Sequence, residues 1–167
     1  IQVSMLAKEA ALNYDGELLN KTSNVTKYNT NVKKALNLGV YGANLGYLSI
    51  YERFEPASQY FATVRELTRD LGLENYFDKP LIDRIEAHKN NKDTLIQIMS
   101  DIYQDVDAFL LRNDRNELGI LILAGGWVES LYLMTQSIED NKNELIVNRI
   151  GEQKYPLENI IDLLRPF

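Results

Sequence analysis

Cysteine is absent from all 167 residues, which excludes disulfides, thiolate metal sites and cysteine nucleophiles. Histidine occurs once, at His88, so no multi-histidine metal site fits within one chain, and only a carboxylate site stays open. Positive charge is scarce: 18 Lys and Arg stand against 24 Asp and Glu, a net charge of −6 with no basic run. That balance leaves no electrostatic footprint for DNA or RNA and disfavours anionic membrane surfaces. Phosphate-turn glycines, a Walker lysine and a nucleophile-elbow serine are missing, and a lone histidine beside charged residues argues against a Ser-His-Asp triad. No strand pattern competes either. Leu118–Leu123 has strand composition, but its apolar continuation to Met134 is too long for one. No cofactor, metal or nucleic-acid partner is expected.

What the chain does have is 45% hydrophobic and 25% charged residues, ordinary for one globular domain with a real core. Its oddity is glycine inside its two most apolar stretches. Leu36–Tyr51 carries Gly39, Gly42 and Gly46, and Leu118–Met134 carries Gly119, Gly125 and Gly126. Each glycine costs a helix about 1 kcal/mol relative to alanine, so another helix is expected to approach these backbones closely. Asn44 in one stretch, Glu129 in the other and their short apolar lengths disfavour membrane spans. Both read as core helices, the second apolar nearly all round and therefore central.

The pattern predicts an all-α, single-domain bundle of six or seven helices. Residues 1–31 form an irregular lead-in with a short helical pattern at Met5–Leu12, and 32–167 form the bundle. The glycine-bearing helices are 32–54 and 115–138. Pro56 opens a helix whose apolar face is Ala57, Tyr60, Phe61, Val64, Leu67 and Leu71, stopped by Gly72. Pro80 leads a short helix. Asp93 caps the next, with a seam of Leu95, Met99, Ile102, Val106 and Phe109. Asp114 with Glu117 fits a capping box, Asn141 with Glu144 starts another helix, and Pro156 starts the last. Setting Gly42 against Gly125 aligns several apolar positions and suggests an internal two-fold repeat. A tetratricopeptide array does not fit, because Ser49 stands where that motif needs an aromatic.

Glu129 is the residue that most invites function. On an apolar helix face it is either a structural acceptor for a tyrosine hydroxyl or helix terminus, or a ligand-anchoring carboxylate with a raised pKa. Tyr41, Asn44, Tyr47, Trp127 and Tyr132 lie on the same two helices; with Glu129 they either line a polar-tipped aromatic pocket or pack as ordinary core. Asp101, Asp105 and Asp107 suggest a cation site only weakly against a solvated acidic face. Asn24-Val25-Thr26 matches the glycosylation triplet, a short pattern that recurs by chance.

The run Lys34–Tyr47 (KALNLGVYGANLGY), with Phe77-Asp78, Asn91-Lys92-Asp93 and Leu123–Glu129 (LAGGWVE), resembles an uncharacterised Bacteroidetes family of exported, lipoprotein-like all-helical proteins. The blocks fall in order over most of the chain. The resemblance implies a mature domain in the periplasm or anchored to the envelope, behind a targeting or lipid-bearing segment, which matches an opening at Ile1. It implies no activity. The expected function is a non-catalytic binding or interaction module of the cell envelope, with a protein or small-molecule partner and the oligomeric state open. The alternative is a small-molecule sensor or enzyme with a pocket between helices 32–54 and 115–138 anchored by Glu129.

Overall fold

The computed structural model describes residues 13–76, 78–88, 91–137 and 144–166. The pattern at Met5–Leu12, Phe77 of the family block and Asn141 as a helix start lie outside them. Two 3-10 turns, Gly16–Leu18 and Thr22–Lys27, lead into seven α-helices among the described residues. These are α1 (Asn31–Ile50), α2 (Phe54–Asp70), α3 (Lys79–Ala87), α4 (Lys92–Arg112), α5 (Asn116–Ser137), α6 (Glu144–Glu152) and α7 (Lys154–Leu164). With no strand among the described residues, the all-α bundle stands as read from the sequence.

Helix ends follow local chemistry, though not always at the expected residue. The Thr30 side chain accepts the Lys33 N–H at 3.2 Å and starts α1. Gly72 takes φ +69°, and bonds from the Leu73 N–H to the Thr68 carbonyl (2.8 Å) and from the Gly72 N–H to the Arg69 carbonyl (3.0 Å) complete a Schellman stop for α2. The same motif ends α1 at Ile50, short of the expected Phe54, with Glu52 held at φ +57° in the place glycine prefers. Asn91, not Asp93, caps α4, its side chain accepting the Thr94 N–H at 3.1 Å. Asp114 is not the cap of α5; at φ +54° it closes α4.

The glycines explain how α1 and α5 meet. A Cβ on Gly39 would strike the Ile122 carbonyl oxygen and lie 2.6 Å from the Gly126 nitrogen, and one on Gly125 would strike the Leu36 carbonyl oxygen. A Cβ on Gly126 would lie 3.3 Å from the Gly39 oxygen. Farther along, Asn44 meets Glu129 and Leu48 shares an apolar cluster with Leu133, so the two helices run side by side in the same direction. Gly42 instead receives the hydroxyl of Tyr103 from α4. Gly46 faces open space. There, only the helix penalty of glycine remains, so Gly46→Ala is expected to stabilise the domain by about 0.5–1 kcal/mol in denaturant unfolding.

Around this pair the core gathers Leu38, Tyr41 and Leu45 of α1, Val64 and Leu67 of α2, Ile98, Ile102, Val106 and Leu110 of α4, and Leu118 and Ile122 of α5. The α4 seam is therefore rotated from its expected line: Ile98 and Leu110 are buried, while Leu95, Met99 and Phe109 are half-buried. A larger departure concerns α5. It is seated on α1 but not enclosed, since Leu123 (54%), Val128 (56%) and Tyr132 (41%) stay exposed. The 9 residues of α6 are too few to cover the 22 of α5. Asn116–Gln136, 21 residues with an 18-residue window of mean hydropathy 1.5, is long and apolar enough to cross a bilayer, contrary to the sequence estimate from Leu118–Met134 alone. Backbone contact with α1 seats α5 in the bundle, while only 33% of that span is buried.

Candidate functional site

Asn44 is fully buried, and its amide is used on both sides. Its Nδ2 donates to Glu129 Oε1, and its Oδ1 accepts the Asn20 N–H at 3.1 Å. Asn20 extends the chain: its Nδ2 donates to the Tyr28 hydroxyl at 2.9 Å, and its Oδ1 accepts from Asn24 Nδ2 at 2.7 Å. Asn24 in turn accepts from Lys27 Nζ at 2.8 Å. Thus Glu129, Asn44, Asn20 and Asn24 tie the lead-in to both central helices, and the Asn24 amide of the glycosylation triplet is already engaged. Burial raises the Glu129 pKa above its ordinary value, while the Asn44 hydrogen bond opposes the rise. Glu129 is an acceptor, as one expectation held, but its partner is an amide, not a tyrosine or helix terminus. Nothing in the spacing of Asn20, Asn44 and Glu129 announces that link.

The predicted aromatic set divides. Tyr41 donates to the Lys21 carbonyl at 2.9 Å, and Tyr47 accepts the Asp15 N–H at 3.0 Å. Burial pushes both phenols above their usual range. Tyr47 packs tilted against Tyr51 at a 4.7 Å centroid distance, and Tyr14 stands 5.7 Å from each of them. The Tyr51 hydroxyl is buried without a hydrogen-bond partner among the described residues, and its pKa is pushed up to about 12 by burial. These rings pack the lead-in against α1. Trp127 faces the other way, donating its indole N–H to Gln153 Oε1 at 3.1 Å. Tyr132 is solvent-exposed. Of the six expected residues, then, the fold joins Asn44 with Glu129, places Tyr41 and Tyr47 beside the lead-in, and sends Trp127 and Tyr132 elsewhere.

A cleft opens where α2, α3 and α4 splay beside α1, around a space of about 1360 Å³. Leu45, Phe61, Ile82, Ile85, Ile98 and Met99 give it an apolar floor, and Arg65, Glu66, Arg69, Glu74 and Lys79 form a rim of both signs. Its hydroxyls are committed to their own helices: Ser49 donates to the Leu45 carbonyl, Ser58 to Glu55 and Thr68 to Arg65, at 2.8, 2.8 and 2.9 Å. The arrangement suits the holding of an apolar surface better than the activation of a nucleophile. On the neighbouring α4 surface, Asp101 is engaged by Arg84 (3.2 Å) and Gln97 (2.8 Å), which accounts for one of the three aspartates. Sequence reasoning assigned Phe61 to the α2 core face and gave Arg65 and Arg69 no role. The signal lay in the wide apolar arc of α2 opposite a short, proline-led α3.

Protein-family models, curated proteins and solved structures give no match to this chain. Fold and cleft define it by class alone, as an all-α helical bundle with an apolar-floored groove.

Proposed function

We propose that this chain is a non-catalytic binding module of the bacterial cell envelope that receives its partner in the cleft between α2, α3 and α4. One observation carries the reading: a cleft of about 1360 Å³ with an apolar floor and a charged rim. Small-molecule pockets run to roughly 300–1,000 Å³, so this one suits a segment of a macromolecule better than a compact ligand. Envelope placement, in the periplasm or through a lipid anchor, rests on the resemblance to exported, lipoprotein-like proteins. The same reading takes the chain as two related halves; the same-direction packing of α1 and α5 supports that, and the unequal lengths of α2 (17 residues) and α6 (9 residues) weigh against it.

Ala62 is exposed and lines the cleft, so Ala62→Trp fills the groove without entering the core. Panning a library of helix-forming peptides on the wild type is expected to retain a pool that Ala62→Trp loses by at least tenfold. Equal retention by both proteins defeats the cleft as the docking site.

A further inference from the structure

We infer that the occupant of the cleft is α7 of a second copy of this chain, an inference that rests on reading the cleft as a docking site. Helix α7 rests on α5 and α6, away from the cleft, and buries only Ile160 fully. Leu157 and Ile161, one turn apart, remain 41% and 44% exposed. Such a row at i and i+4 is what a helix presents to an apolar groove. Beside it stand Glu158 and Asp162, also exposed and one turn apart. The α2 rim offers the complement: Arg65 and Arg69, one turn apart, exposed, and without an ion-pair partner among the described residues. Four residues of helix rise about 6 Å in either case, so the two charge pairs match in spacing as well as sign. Among the described residues Asp162 is held only by an exposed contact to Arg165 at 3.4 Å, which an incoming arginine can replace. The rim acids Glu66, Glu74 and Asp78 are matched in kind by Lys154 of the incoming helix and Arg165 just past its end.

The cleft and α7 are different surfaces, so the contact is heterologous: each copy offers one of each, and association proceeds head to tail. Sedimentation of the wild-type chain from micromolar to millimolar concentration is expected to show reversible growth beyond a dimer. Arg65→Glu with Arg69→Glu, and separately Glu158→Arg with Asp162→Arg, each weaken association at least tenfold, because each sets like charges across the contact. Mixing the two charge-reversed proteins restores it. A wild type that stays monomeric overturns the inference, as does association that survives both reversals or is not restored by mixing. Association that survives reversal but is lost in Leu123→Lys assigns the contact to α5 and also overturns it. If a monomeric wild type still retains helical peptides that Ala62→Trp loses, the cleft stands as a docking site and only this occupant falls. If neither is seen, both fall.

Discussion

Gly125→Ala is expected to destabilise the domain by about 3 kcal/mol or more, lowering Tm by roughly 6–12 °C, even though alanine is the better helix former. The added Cβ meets the carbonyl oxygen of Leu36, a backbone atom that no rotamer change can move aside. Relief requires α1 and α5 to separate along a contact that also passes Gly39, Ile122 and Gly126. Thermal and urea unfolding beside Gly46→Ala supply the internal control, since the two substitutions change the same helix propensity with opposite expected signs. If Gly125→Ala is as stable as the wild type, the helices are not in backbone contact there.

Asn44→Leu is expected to cost about 2–3 kcal/mol, because the side chain keeps its volume but leaves two half-buried partners unmatched. The Asn20 N–H loses its acceptor and Glu129 loses the donor that offsets its burial. Most of that loss is expected to return when Glu129→Leu is added, because removing both members of a polar pair is far milder than removing one. Glu129 also gives stability a pH dependence. Burial raises its folded pKa above the ordinary 4.5, so the folded state holds an extra proton between that value and its own. Stability therefore falls as pH rises through this window and stays at the lower level above it. Glu129→Gln keeps an acceptor for Asn44 and removes the ionisable group. Its Tm is expected to exceed that of the wild type at pH 7, with the difference vanishing on acidification. A pH-independent difference between the two assigns no buried charge to Glu129.

The two central helices were legible because repeated glycine on apolar helices has few physical explanations. The contact it implied is present at Gly39, Gly125 and Gly126. Gly46, by contrast, faces open space, and Gly42 meets a side chain from α4, distinctions that depend on which neighbour arrives. Helix existence read more easily than helix ends: Glu52 and Asp114 take left-handed conformations that their residue types do not advertise. The central burial of α5 was overestimated, because hydrophobicity records what a helix can bury and not how long its cover is. Asn44 and Glu129 each stood out as polar residues on apolar faces, but a separation of 85 positions hid their pairing. The cleft was illegible for the same reason. It is made by three helices that leave a gap, and no single segment of sequence encodes a gap.

Accessible apolar surface lies in the α2–α3–α4 cleft, and α1 and α5 meet in backbone contact. Amide NMR of the labelled chain titrated with the apolar dye anilinonaphthalene sulfonate tests both at once. Shifts are expected along Ala57–Arg69, Ile82–Ile85 and Leu95–Met99, with Asn44, Gly125 and Glu129 unmoved. Shifts centred on Asn44, Gly125 and Glu129, with the cleft amides silent, contradict both.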